Sequence, residues 1–172
     1  MVCLVKEISK VRILRCPETG VAVFETHEDK NGYLHREGAP ASIERDRDTG
    51  SNIQLMYYFR DLSHRSGGKP AVQLFSHETK APIWRAWREH GEYFRADDLP
   101  HVEILDPKTG NIIRAEYRIR NDTKKGYALH RENGPAVITF DKDTGKQTGV
   151  KFFRFGRKQN NSNSPTISLG MP

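Results

Sequence analysis

Thr-Gly recurs along this chain at Thr19-Gly20, Thr49-Gly50, Thr109-Gly110 and Thr144-Gly145, with Thr79-Lys80 in the remaining place, so the step is 30, 30, 30 and then 35 residues. A fixed period of this length is the signature of a repeat architecture, and it constrains the fold more than any composition does. A second element keeps the beat: Leu34-His35-Arg36 to Pro40-Ala41, His64-Arg65 to Pro70-Ala71, Phe94-Arg95 to Pro100-His101, and Leu129-His130-Arg131 to Pro135-Ala136. Ile13 to Gly20 parallels Ile104 to Gly110, which makes five units, the first without a preceding His-Arg segment.

Each unit reads as two strands and two turns, because short β-branched or aromatic runs are bounded by Gly, Pro, Asp and Asn. The first strand follows the proline, at 71–75, 102–105 and 136–140. A turn such as Asp46 to Gly50 or Asp141 to Gly145 reverses the chain, with Asp bonding nearby amides and Gly taking positive φ. The second strand is aromatic-rich, at 55–60, 83–89, 112–120 and 150–155. Aligned on the Thr-Gly step, Tyr57, Trp87, Tyr117 and Phe152 share one column, which successive units would stack on one face. The rival for residues 83–90 is a helix, since Trp84 and Trp87 are three apart.

A hairpin of about 30 residues cannot bury its apolar face alone, so the expectation is an all-β fold: tandem hairpins side by side in an elongated, twisted antiparallel meander. Residues 1–158 form one repeat domain in this reading. Residues 159–172, rich in Asn and Ser, read as a mobile tail or as a cap on the last edge. At 35% apolar and 29% charged residues, the supply for a thick core is lean.

The segments His35-Arg36 with Pro40-Ala41, His130-Arg131 with Gly134-Pro135-Ala136, and the weaker His64-Arg65 with Pro70-Ala71 resemble a variant of the MORN-type repeat, found in bacterial and phage proteins. The likeness covers residues 11 to 158, although the unit is longer, the Tyr-x-Gly-x-Trp opening is absent and Phe94 replaces His. It implies a scaffold for protein or lipid contacts, with no chemistry of its own.

Three histidines share one repeat position, but equivalent positions in successive hairpins stand roughly 9 to 10 Å apart, against the ~2 Å that zinc requires of its ligands. His35, His64 and His130 with Arg36, Arg65, Arg95 and Arg131 are therefore expected to brace turns as a ladder, the alternative being a basic stripe along a phosphate backbone. No phosphate loop, catalytic triad or metal spacing is legible, so no cofactor and no enzymatic role are expected. The pairs Asp46/Asp48, Asp97/Asp98 and Asp141/Asp143 read as turn caps.

Binding residues are expected where units depart from the repeat. Trp84, Arg85 and Arg88 concentrate the residue types of binding hot spots. The expansion at Asn121 to Gly126 offers Lys124 and Lys125 on a protruding loop. Another protein is the expected partner, nucleic acid the alternative at a net charge of +6, and edge-to-edge pairing of two copies a third. Cys3 and Cys16 fit neither a metal clip nor a disulfide framework; with no signal peptide or membrane span legible, the chain reads as cytoplasmic.

Overall fold

The structure is a computed structural model that describes residues 10–121 and 126–160. Among the described residues it contains seventeen strands: β1 Lys10–Arg15, β2 Ala22–Glu28, β3 Ser42–Arg45, β4 Asn52–Met56, β5 Tyr58–Phe59, β6 Leu62–Ser63, β7 Val72–Phe75, β8 Pro82–Ala86, β9 Arg88–Glu89, β10 Glu92–Tyr93, β11 Val102–Leu105, β12 Ile112–Glu116, β13 Arg118–Asn121, β14 Gly126–Leu129, β15 Val137–Phe140, β16 Gln147–Arg154 and β17 Arg157–Gln159. Eleven of them make one antiparallel sheet in the order β1-β2-β3-β4-β7-β8-β11-β12-β15-β16-β17. The pairs β5–β6, β9–β10 and β13–β14 stand outside it as small hairpins. Residues 83–86 lie in β8 and residues 88–89 in β9, and no helix occurs among the described residues.

Two strands per unit were expected, and the structure splits the second one. β4, β8 and β12 stop one residue before Tyr57, Trp87 and Tyr117, and β5, β9 and β13 start one residue after. The cause is a division of backbone bonds at that residue. The Trp87 N–H donates to the His101 carbonyl of the main sheet, while its carbonyl accepts from Phe94 N on the returning arm of the small hairpin. Tyr57 does the same with Ala71 and His64, and Tyr117 with Ala136 and His130. His27, 30 residues before Tyr57, is a fourth such pivot, bonded to Ala41 and His35. Each pivot bonds two neighbouring segments at once; at His27 the strand β2 nevertheless runs on unbroken. β16 instead runs on through Phe152, which is half-buried, and pairs with β17.

The small hairpins β5–β6 and β9–β10, and the β16–β17 hairpin of the main sheet, close through two-residue turns with positive φ at both positions, Arg60-Asp61, His90-Gly91 and Phe155-Gly156, the conformation that matches the twist of the flanking strands. The expansion at 121–126 lies in the third small hairpin, β13–β14, with Asn121 opposite Gly126 at its described end. Lys124 and Lys125, the proposed loop cations, lie outside the described residues. So do Cys3 and residues 161–172 of the expected tail, whereas Gln159 belongs to β17.

The core is thin, as the composition requires. Val72, Ala86 and Val102 form its centre, with Met56, Trp84 and Ile104 from the same sheet face and Tyr93 from β10 packed against them. Val102 and Val137 are the largest side chains buried below 2% exposure among the described residues. Full burial of such a valine stabilises by roughly 1.5–3 kcal/mol, so the fold accumulates stability from many small contacts. Because side chains alternate across a strand, Trp84 and Ala86 face this core, while Arg85 and Trp87 face the opposite side.

The long turns repeat one design. Asp46 Oδ1 accepts from Asp48 N, Thr49 N and Thr49 Oγ1, and Asp106 and Asp141 do the same with Lys108 and Thr109, and with Asp143 and Thr144. These donors, led by the threonine amide, hold all three carboxyls below the usual aspartate range. The residue after the threonine has φ between 62° and 75° in all five turns, and at position 80 it is lysine. An L-residue pays about 1–2 kcal/mol in that region, which glycine avoids. Lys80→Gly is therefore expected to stabilise by about 1 kcal/mol, read as a higher urea midpoint at unchanged m-value, in spite of losing the Lys80 Nζ bond to the His77 carbonyl.

Candidate functional site

Each pivot side chain is met by the arginine that follows it. The guanidinium carbon of Arg65 lies 3.7 Å from the centre of the Tyr57 ring, that of Arg95 lies 3.6 Å from Trp87, and that of Arg131 lies 3.8 Å from Tyr117. The same arginines donate from NH1 to the carbonyls of Pro70, Pro100 and Pro135, and Arg36 donates to Pro40. A flat, delocalised cation suits this double duty, stacking on a ring with its face while its edge bonds a carbonyl. Arg95 also pairs with Glu103 at 2.7 Å and Arg131 with Asp98 at 2.6 Å. The four cations thus point along the loop and over the sheet.

In the first unit His27 replaces the aromatic pivot. Its Nε2 lies 2.7 Å from Glu25 Oε1 and 2.9 Å from Arg36 NH1. A carboxylate only accepts, so Nε2 carries its proton toward Glu25, and the approach of Arg36 reflects the shared carboxylate, 3.7 Å away. The His27 bond and then the Arg45 pair hold the Glu25 carboxyl below its ordinary range.

Three histidines receive a backbone amide. His64 Nδ1 accepts from His90 N at 3.3 Å, His101 Nδ1 from Arg118 N at 3.0 Å and His130 Nδ1 from Phe155 N at 3.2 Å. The His64 ring also stacks on His90, and His130 on Phe155, with centroids 4.3 Å apart in both cases. These contacts tie one small hairpin to the next. Accepting at Nδ1 requires the neutral imidazole with its proton on Nε2, and burial lowers the affinity of all three rings for a second proton. His35 takes no such amide; its ring meets Phe59 edge-on at 5.1 Å.

Trp84, Arg85 and Arg88 are half-buried and engaged within the fold. Trp84 packs on the Val72 cluster. Arg85 stands 4.0 Å from Glu103, and the Arg88 guanidinium lies over Tyr93 at 4.3 Å and Tyr127 at 5.0 Å. Trp87, expected in the core, is 5% exposed, and its indole N–H donates to the Gly68 carbonyl at 2.8 Å.

Two surface clefts among the described residues bear on these groups. One, of about 390 Å³, lies between Tyr93, His101, Tyr117, Arg118, His130 and Arg131. Its cations are already paired, Arg118 with Glu116 and Arg131 with Asp98. The other, of about 930 Å³, is shallow and lies at the β1 end of the sheet, floored by Leu14, Val23, Phe24 and Ile53 and rimmed by Arg15, Glu18, Arg45, Arg47 and Asp48. All six residues of β1 are exposed, and Leu14 is 64% exposed, Ile13 48% and Val11 45%. Edge-to-edge pairing was expected without a named strand, because single apolar residues among cations carry no repeat signal; strand order shows that nothing among the described residues pairs with the outer side of β1. No group of three or more His, Cys, Asp or Glu with metal-holding geometry occurs among the described residues.

Comparison with protein-family models, with curated proteins and with solved structures finds no match to this chain.

Proposed function

We propose that this chain is a non-enzymatic scaffold of tandem β-hairpin repeats that binds another protein by accepting an extended segment along β1. The observation that carries this reading is the exposed edge itself, where Val11 and Ile13 alternate with Lys10 and Arg12 and Leu14 precedes Arg15, beside the Leu14–Phe24 cleft. An unpaired edge offers main-chain bonds to an added strand, and alternate side chains select it. The three cations favour a partner segment in which acidic residues interleave with apolar ones. The repeat supports the reading from another side: pivots and arginines are occupied in joining strands and loops and the turn aspartates in bonding their own turns, which leaves the end of the array as the place for a specific contact.

Affinity purification from the native source after nuclease treatment, comparing the parent with the Ile13→Glu/Leu14→Glu variant, tests this. The expected result is a stoichiometric protein retained by the parent and reduced at least about tenfold by two buried-on-binding charges, with unchanged circular dichroism. Equal retention by the variant would move the contact away from β1.

A second reading has its own observation. Residues 111–172 hold twelve Lys and Arg against five Asp and Glu, whereas residues 1–110 hold sixteen against seventeen. The net charge of +6 is thus concentrated in the last third, and Lys151, Arg154, Arg157 and Lys158 there are exposed. Binding of a single-stranded nucleic acid at that end would weaken steeply with added salt, whereas a protein contact at β1 would survive nuclease.

A further inference from the structure

The loop arginines differ in what meets the edge of the guanidinium. Arg95 is answered by Glu103, a sheet residue whose side chain is 8% exposed. Arg131 is answered from the preceding unit by Asp98, whose side chain is 64% exposed. Arg131 Nε lies 3.3 and 3.2 Å from the two Asp98 oxygens, and NH2 lies 2.6 Å from Oδ2. Asp98, read from the sequence as a turn cap, reaches this position on a strained backbone. The φ angle is 60° at Asp97 and 49° at Asp98, where the preceding unit has Gly67 and Gly68 at 74° and 66°. Side chains are disfavoured in this region and glycine is not. The loop thus holds a carboxylate in the Arg131 fork against its own backbone preference, the kind of strain that collects at ligand-binding places.

Asp98 and Arg131 both line the cleft of about 390 Å³, a volume at the small end of the range for small-molecule sites. Flat rings make its wall: the centres of Tyr93 and His101 are 6.3 Å apart, and those of His101 and Tyr117 6.0 Å. His101 and His130 use Nδ1 to accept backbone amides, so each keeps an N–H donor at Nε2. We propose that this cleft binds a small carboxylate with a flat apolar body. The carboxylate takes the place of Asp98 on Nε and NH2 of Arg131, and the body lies against Tyr93, His101 and Tyr117. Arg131 keeps its other contacts meanwhile, its face on Tyr117 and NH1 toward the Pro135 carbonyl, so the planar fork is set before the ligand arrives. The exchange costs little, because an exposed ion pair contributes little and the departing Asp98 carboxylate returns to water. The site lies apart from β1 and is independent of what the scaffold binds there.

Titration of the full chain with benzoate at constant ionic strength, followed by NMR of the backbone amides and of the Arg131 Nε–H, tests this, with acetate as the probe that lacks the ring and benzamide as the one that lacks the charge. Benzoate is expected to give saturable shifts at Arg131, Tyr117 and His101, acetate to bind roughly two- to tenfold more weakly for want of ring contacts, and benzamide to give no saturable shift. Asp98→Gly suits the backbone and removes the competing carboxylate, so benzoate should bind about two- to fivefold more tightly, the equivalent of one exposed ion pair. Arg131→Lys keeps the charge without the planar fork and should weaken benzoate at least about tenfold. The benzamide and Asp98→Gly comparisons decide the matter even if Arg131→Lys does not fold. Absence of saturable shifts or unchanged affinity in Asp98→Gly, benzamide binding as well as benzoate, or shifts that map away from Arg131 overturn the assignment.

Discussion

Trp87→Ala is expected to cost about 3–5 kcal/mol of unfolding free energy, the range for truncating a buried aromatic ring. Three interactions go together. The ring fills a site that is 5% exposed, it carries the guanidinium of Arg95 on its face, and its N–H satisfies the Gly68 carbonyl. The backbone of residue 87 also joins two ladders, so a relaxed side-chain cavity is transmitted to both. Urea unfolding followed by far-ultraviolet circular dichroism measures the loss. Trp84→Ala, on a half-buried ring of the opposite face, is the comparison, and it should cost clearly less. Equal costs would mean that the pivot has no special role.

Stability is expected to fall as the pH drops below about 6.5, the ordinary histidine value, and the small hairpins should loosen first. His64, His101 and His130 each accept an amide at Nδ1, and burial holds each below its ordinary proton affinity. The unfolded chain therefore binds more protons than the folded one. The stabilisation is fully present above the unfolded value and is lost as the pH falls through the lowered folded values. At His101 the Asp98 carboxylate opposes the burial effect, while Arg95 and Arg131 reinforce it; Arg154 reinforces it at His130, where Glu132 opposes it. At His64 the neighbouring His90 adds to burial and Glu89 opposes it. At most three protons are taken up on unfolding through these groups, one per ring. The check is the denaturation midpoint between pH 7.5 and 5.5 for the parent and for a triple His→Asn variant, whose amide oxygens still accept but do not titrate. A midpoint that falls equally in both would show that other groups govern the acid response.

The histidine and arginine ladders illustrate why part of the site was legible and part was not. A residue type that returns every 30 positions announces a repeated contact, and that signal pointed to Arg36, Arg65, Arg95 and Arg131. Which surface they meet depends on where the chain bends, and the bend depends on a backbone shared between two ladders. Trp84, Arg85 and Arg88 looked like free binding residues because adjacent Trp and Arg are common at interfaces. Their engagement follows from Tyr93 and Tyr127 arriving on small hairpins that the expected two-strand unit did not contain.

From sequence alone the local rules were readable, because they are set by chemistry within a few residues. Asp-x-x-Thr-Gly makes its turn with its own amides, proline marks a strand start, and β-branched runs between them form strands that meet as an antiparallel sheet without helix. The tertiary structure decided everything that needs two distant segments at once. It broke the second strand at Tyr57, Trp87 and Tyr117 and turned the arginines onto those rings. Among the described residues it also left β1 at the edge of the sheet. The physical reason is that a pivot's two backbone groups are satisfied by strands up to 19 residues away, as Tyr117 is by Ala136, so neither its bend nor its burial is a property of its own neighbourhood in the chain.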